Sequence, residues 1–191
     1  MLPTSLNLRL PAWLDASAQP RALPSLEQRM ALVLDLAARN VAQRTGGPFA
    51  AAVLERDSGR LVSVGVNVVV PQHCALAHAE VMALGLAQAG LRTFDLGSPG
   101  LPPMQLVSSS QMCAMCLGAV VWSGVAEVAF ATTAQDVIGI VGFDEGPTPA
   151  DYEGSLRERG IRMLPGVLRE RGLAVLRGYV DDGAPVYDAH H

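Results

Sequence analysis

The 191-residue sequence predicts one α/β domain in three layers, with helices on both faces of a mixed sheet of about five strands. Two strand-like runs, residues 49–55 and 61–66, are joined by Asp-Ser-Gly at 57–59, which is a β-hairpin signal. After the hairpin, segments with helical spacing alternate with short apolar runs. An antiparallel opening followed by this alternation predicts a mixed sheet.

The first part of the chain divides into an arm and a domain. Residues 1–24 carry four prolines and little periodicity, so we expect an extended N-terminal arm before a single domain over 25–191. Ser25 and Gln28 have the spacing of a capping box ahead of a helix that runs to about residue 44. Gly-Gly-Pro then breaks this helix before the hairpin.

The rest of the chain repeats helices and strands. The predicted elements are a helix over 77–89, a strand over 104–108, an apolar helix over 113–122 and a strand over 125–132. Residues 133–149 are predicted to be a long loop, and long ordered loops are often functional. The last predicted elements are a helix over 151–159, a strand over 161–164 and a helix over 167–179.

Charge and composition exclude several classes of protein. The net charge is −4, and the basic residues are all arginines scattered along the chain, so no basic stripe for nucleic acid is visible. Because the sequence contains no lysine, it has no Schiff-base lysine and no Walker phosphate loop. No apolar run approaches a membrane span, and the N-terminus lacks an apolar signal core. Three cysteines, two of them in one C-x-x-C, suit a reducing compartment. We expect a cytoplasmic protein whose partners include neither nucleic acid nor membrane.

Two short motifs together predict a zinc site. His78 and the pair Cys113 and Cys116 supply an imidazole and two thiolates, and three protein ligands leave a fourth position for water. The two cysteines are three residues apart and share a helix face, and a helix N-terminus favours thiolates. Glu80 lies two residues beyond His78, so it points elsewhere than the ligands and is a candidate base for the water.

Simpler explanations exist for these residues. C-x-x-C alone also fits a redox pair or half of a closed structural zinc site, for which His73 and Cys74 are the nearest further ligands. Cys74 by itself is more often a small buried hydrophobe. By default, Phe49 and Trp122 are core residues, and the loop carboxylates at 144 and 145 are solvated.

Six motifs resemble those of the guanine deaminase branch of the cytidine deaminase-like superfamily of zinc deaminases. The similarity spans about residues 30–187. The motifs are Gly47-Pro48-Phe49-Ala50-Ala51-Ala52-Val53, Asn67, His78-Ala79-Glu80-Val81, Cys113 to Cys116, Ala119-Val120-Val121-Trp122-Ser123-Gly124 and Gly142-Phe143-Asp144-Glu145-Gly146. The resemblance implies the three-layer α/β/α fold of that superfamily and a bound Zn²⁺.

The resemblance also implies a role for each matching residue. The implied zinc ligands are His78, Cys113 and Cys116. The implied proton carriers are Glu80 and, at the leaving amino group, Glu145. The implied substrate-binding residues are Asn67, which reads the base, Phe49 and Trp122 as pocket walls, and Asp144. The resemblance further implies a homodimer in which the C-terminal segments are exchanged.

The chain departs from the family pattern just before its first cysteine ligand. The family has Glu-Pro-Cys, whereas this chain has Gln111-Met112-Cys113. Without the proline the helix start is no longer pre-set, but no metal ligand is missing. The loss of the carboxylate changes the charge near the site.

Three functions remain open from the sequence. The first is hydrolytic deamination of a free aminopurine, guanine to xanthine plus ammonia, with amino-triazines such as ammeline as further substrates. The second is deamination of tRNA adenosine, another nucleoside or cytosine on the same zinc site, which the missing basic stripe disfavours for tRNA. The third is a non-catalytic, zinc-stabilised scaffold, which has no need for Glu80.

Overall fold

The computed structural model describes residues 2–15 and 19–187. Residues 1, 16–18 and 188–191 lie outside the described part, so the predictions of an arm and of a domain are not covered there. The sheet has five strands in the order β2-β1-β3-β4-β5, and β1 is antiparallel to both neighbours while β3, β4 and β5 run parallel. The strands are β1 (Ala50–Glu55), β2 (Leu61–Val66), β3 (Met104–Ser110), β4 (Glu127–Thr132) and β5 (Arg162–Leu164). This confirms the predicted mixed sheet.

Seven α-helices connect or cover these strands in the described ranges. They are α1 (Leu26–Ala42), α2 (Val69–Gln72), α3 (Ala79–Leu91), α4 (Ala114–Ser123), α5 (Ala134–Ile140), α6 (Tyr152–Arg157) and α7 (Arg169–Asp181). The predicted capping box of α1 is confirmed, because Ser25 and Gln28 exchange side-chain to backbone hydrogen bonds. None of these helices combines the length and the apolar composition of a membrane span.

Two apolar cores lie on opposite faces of the sheet and make the three layers. On one face α1 and α7 pack over β1, β3 and β4 around Met30, Leu34 and Val107. On the other face α3, α4 and α6 pack around Leu84, Leu106 and Val120. β1 alternates between the two cores, which explains why its sequence is almost entirely apolar.

The prediction of a long loop over residues 133–149 is wrong in its first half, which forms α5. Thr133 and Asp136 form a capping box at its start, the T-x-x-D signal that the sequence carries. The helix is short, and its Val137 packs with residues of α7 in a third apolar cluster. Tertiary packing therefore stabilises a helix too short to be stable alone.

The segment before α1 packs onto the domain. Leu14 is buried in the main core, and Leu23 and Arg21 exchange backbone hydrogen bonds with Gly59 and Leu61 beside the hairpin. The boundary between an N-terminal arm and the domain at residue 24 stays a prediction.

Candidate active site

Three potential metal ligands come together where α3 and α4 begin. The Sγ atoms of Cys113 and Cys116 each lie 3.6 Å from Nδ1 of His78, and the three ligand atoms are all within 4.8 Å of one another. A tetrahedral zinc ion with bonds of about 2.0 to 2.3 Å separates its nitrogen and sulfur ligands by about 3.6 Å. The described residues therefore fit a zinc ion with three protein ligands.

Helix starts place two of these ligands. His78 is the N-cap of α3 and Cys113 the N-cap of α4, each in extended conformation, while Cys116 lies one turn inside α4. The free N–H groups of both helix ends point toward this region and favour thiolates. Gly65 of β2 lets α3 approach closely, because a Cβ there would lie 2.3 Å from the carbonyl oxygen of Ala79.

The carboxylate of Glu80 is buried beside the ligand group without belonging to it. Its side chain is 6% exposed, Ser108 donates a hydrogen bond of 2.9 Å to Oε1, and Oε2 lies 3.3 Å from Sγ of Cys116. Burial, followed by the nearby charge of Cys113, raises the pKa of Glu80. A raised pKa suits a carboxyl group that takes up and releases a proton near neutral pH.

The two cysteines are electrostatically coupled. The hydrogen bond from Cys116 lowers the pKa of Cys113 to about 4, against the opposing effect of burial. The same hydrogen bond and burial raise the pKa of Cys116. Cysteine binds a metal as the thiolate, so binding of a cation here releases the protons that the two sulfurs carry.

A cavity of about 170 Å³ opens in front of these groups. Phe49 and Phe143 form one wall with their ring centroids 5.6 Å apart, and Tyr187 extends it at 4.7 Å from Phe143. Asn67, which is 1% exposed, presents its amide to the cavity while its Oδ1 accepts a hydrogen bond from the backbone of Val69. The cavity therefore combines aromatic walls with a few polar groups.

The loop with the predicted second acid reaches the same cavity. Asp144 and Glu145 both line it, and the carbonyl oxygen of Glu145 accepts a hydrogen bond from the backbone N–H of Ala114 at the start of α4. Asp144 accepts a hydrogen bond from the backbone of Gly146, so it also shapes the turn. The structure brings both carboxylates to the site, and their roles stay predictions.

Trp122 is not among the residues that line the cavity of its own chain, so the pocket-wall role that the resemblance implies stays a prediction. Its side chain is 85% exposed at the end of α4. The buried face of this helix carries Cys116, Leu117, Val120 and Ser123. With 3.6 residues per turn, position 122 falls on the opposite face.

The departure from Glu-Pro is accommodated locally by hydrogen bonds. Oε1 of Gln111 accepts a hydrogen bond from the backbone of Ala134, an acceptor that a carboxylate would also supply. Tyr152, which sequence reasoning missed, donates from its hydroxyl to the carbonyl oxygen of Met112 over 3.0 Å. This hydrogen bond fixes the backbone of Met112, just before Cys113. In the family pattern a proline restricts the backbone at the same position. A tyrosine forty residues away in sequence gave no local signal.

A family model described as the zinc-binding region of cytidine and deoxycytidylate deaminases matches residues 24–132. Guanine deaminase of Bacillus subtilis is 31% identical over 126 residues, which cover 66% of this chain and 76% of that protein. A solved structure of guanine deaminase from Nitrosomonas europaea is 48% identical, with a TM-score of 0.89 over 94% of this chain and 98% of that one. A structure of NE0047 with 2,6-diaminopurine is 48% identical, with a TM-score of 0.91 over 98% of both chains.

Three ligands for zinc at two helix starts, with a buried carboxylate beside them on a mixed five-stranded sheet, define the class of zinc-dependent deaminases. Within that class, the chain belongs to the guanine deaminase branch of the cytidine and deoxycytidylate deaminase family. It is a zinc-dependent hydrolase of that family.

Proposed function

We propose that this protein catalyses the hydrolytic deamination of a free aminopurine base, guanine plus water giving xanthine plus ammonia. The observation that carries the proposal is Glu80, buried at 6% exposure beside the zinc ligands and facing an aromatic-walled cavity. A purely structural zinc site does not need this carboxylate. Relatives that are 31% and 48% identical are guanine deaminases, which supports guanine over other bases.

The size and lining of the cavity support a free base. A volume of about 170 Å³ lies below the range of roughly 300–1,000 Å³ that is usual for drug-sized ligands. The rings of Phe49 and Phe143 offer apolar faces to a flat heteroaromatic ligand. Asn67 offers amide hydrogen bonds to the polar edge of a purine.

The residues of this chain supply binding and proton transfer. Zinc, when bound to His78, Cys113 and Cys116, acts as a Lewis acid that makes water nucleophilic at neutral pH. Glu80 removes a proton from that water as the oxygen adds to the ring carbon bearing the amino group, and delivers the proton to the ring nitrogen. The amine then receives a second proton, from Glu80 or Glu145, and the carbon–nitrogen bond breaks as ammonia leaves. The hydroxyl group of the adduct gives up its proton as the new carbonyl forms, which balances the proton given to the amine.

Two alternative functions have less support. A tRNA substrate needs cations along its backbone, and the chain has a net charge of −4 and no lysine. A scaffold without activity would be better served by an apolar residue at position 80, because burying a carboxyl group is costly. Glu80 is nevertheless buried, with a hydrogen bond from Ser108. Amino-triazines such as ammeline remain within the proposed substrate class.

The proposed function is tested by ammonia release from a panel of guanine, adenine, cytosine, their nucleosides and ammeline. We expect guanine to have the highest kcat/KM. A nucleoside preferred over every free base would overturn the proposal, and tRNA binding by filter assay at low salt would favour the second function.

Asn67→Ala and Glu145→Gln are expected to affect different kinetic constants for guanine. Removing the Asn67 amide leaves a buried polar group of the base unpaired, which costs about 1–3 kcal/mol and should raise KM. Glu145, if it protonates the leaving amine, acts mainly in the transition state, so its loss should lower kcat. Steady-state kinetics on both variants make the comparison. An unchanged kcat for Glu145→Gln would leave both proton transfers to Glu80.

We also propose that the protein is a homodimer in a reducing cytoplasm, where free thiols persist. The outward face of α4, composed of Met115, Gly118, Ala119 and Trp122, carries no charge, and Trp122 is 85% exposed. Phe94, 86% exposed, precedes Leu96, whose backbone N–H bonds to the last turn of this helix. The face offers both large side chains and small-residue gaps, so a second copy of the same face would complement it.

Trp122→Ser is expected to shift the protein from dimer to monomer in sedimentation velocity at micromolar concentration. The reason is the loss of the largest exposed apolar group on that face. Ile138→Ser is the matched control, because Ile138 is 50% exposed on α5, away from α4. A wild-type monomer with full activity would exclude the dimer.

Exchange of C-terminal segments is a further part of this proposal. In the structure Tyr187 contacts Phe143 of the same chain. In an exchanged dimer, a Glu80→Gln chain paired with a Tyr187→Ala chain regains one site with both native residues. Activity near half of wild type in this mixed dimer supports exchange, whereas activity no higher than that of the Tyr187→Ala homodimer contradicts it.

A further inference from the structure

A buried amide joins the two segments that present substrate-facing groups to the cavity. Asn40, near the end of α1, is 0% exposed. Its Nδ2 donates one hydrogen bond to the carbonyl oxygen of Gly47 and one to that of Asn67, each 2.9 Å long. Gly47 lies two residues before the aromatic wall at Phe49. A single side chain therefore sets the spacing between two walls of the cavity.

The two segments are in direct contact at this point. The backbone N–H of Asn67 donates to the carbonyl oxygen of Phe49 over 3.0 Å. Gly46 passes so close that a Cβ on it would lie 1.8 Å from the carbonyl oxygen of Asn67 and 2.9 Å from Nδ2 of Asn40. Any side chain at position 46 would push the segments apart, so the approach depends on glycine.

A relay from the N-terminal segment holds the orientation of this amide. The hydroxyl of Thr45 donates to Oδ1 of Asn40 over 2.7 Å, and the indole N–H of Trp13 donates to the Thr45 hydroxyl over 3.0 Å. The guanidinium of Arg39 stacks on the Trp13 ring at 4.7 Å. Both amide hydrogens and the amide oxygen of Asn40 are thus engaged, and rotation of the side chain would break three hydrogen bonds, two of them buried.

We propose that Asn40 is a positioning residue for substrate binding, with Thr45 and Trp13 holding its orientation. Asn40 is not among the residues that line the cavity, and it acts through the backbones that carry Asn67 and Phe49. The inference rests on the proposed function, in which those two residues contact the base. Because they bind the base without taking part in proton transfer, a displacement should weaken binding rather than slow the chemical step.

The test compares Thr45→Val with Thr45→Ser. Valine keeps the shape and removes the hydroxyl, so we expect KM to rise at least about fivefold with kcat within about twofold of wild type. Serine keeps the hydroxyl and should restore the wild-type KM. Asn40→Asp removes both donors and should raise KM further. Kinetics use guanine, or whichever base of the panel the wild-type enzyme deaminates best.

Leu36→Ala is the control for general destabilisation, because Leu36 is 3% exposed on the same helix and packs in the main core. It should lower the melting temperature and leave KM unchanged. If Thr45→Val lowers the melting temperature in the same way without changing KM, or lowers only kcat, the proposal is overturned. If Asn40→Asp does not fold, the Thr45 pair decides. Failure of the proposed function is detected by a different measurement, the ammonia-release panel, in which the wild-type enzyme would be inactive on guanine.

Discussion

Glu80→Gln is expected to retain zinc and fold while losing nearly all turnover. The amide has the shape of the carboxyl group and cannot carry a proton. General acid–base catalysis contributes typically about 10²- to 10⁴-fold, so we expect a fall in kcat of that size, or roughly 2.7 to 5.4 kcal/mol. Ammonia release gives the rate, and metal analysis shows whether zinc is retained.

Ser108→Ala is the matched control for Glu80. It removes the hydrogen bond to Oε1 and leaves the carboxyl group in place. We expect at most about a tenfold loss of rate, because the carboxyl group that carries the proton stays in place and one hydrogen bond contributes only about 0.5–1.5 kcal/mol net. If Glu80→Gln itself kept a rate within about tenfold of wild type, Glu80 would not be the proton carrier.

Cys113→Ser is expected to remove both zinc and activity. A hydroxyl does not ionise at neutral pH, so the site is left with two good ligands. Since a metal that binds only the folded state adds to its stability, the melting temperature should also fall. Metal analysis, activity and thermal unfolding are measured on the same preparations.

Cys74→Ser is the control that separates an open site from a closed structural one. Cys74 is half-buried and lies outside the group formed by His78, Cys113 and Cys116. We therefore expect one zinc ion per chain in this variant and unchanged turnover. Loss of zinc from Cys74→Ser as well as from Cys113→Ser would show a closed structural site that includes Cys74.

The sequence by itself determined the elements that depend on short-range signals. The spacing of Ser25 and Gln28 and the turn residues of the hairpin each act within a few positions, so those elements could be predicted. The same holds for the zinc ligands, because His78 and Cys113 cap helices that begin at these motifs. The mixed sheet followed from such patterns, and so did the prediction that His78, Cys113 and Cys116 are the zinc ligands.

Short-range signals were less decisive where packing outweighs them. Helix α5 has a capping box, but its seven residues are stabilised by contact with α7, far along the chain. Trp122 matches a family motif, yet the motif alone does not say which helix face points inward. The rotation of α4 that buries Cys116 is the one that exposes Trp122.

Only the tertiary structure decided which distant residues support the site. Asn40, Ser108 and Tyr152 each bond to a partner 27 to 40 positions away, and that partner is a backbone carbonyl or a buried carboxylate. A backbone carbonyl leaves no mark in the sequence, since every residue has one. The potential metal ligands could therefore be predicted from residue type and spacing. The residues that position the walls of the cavity could not, because their contacts depend on how the chain packs.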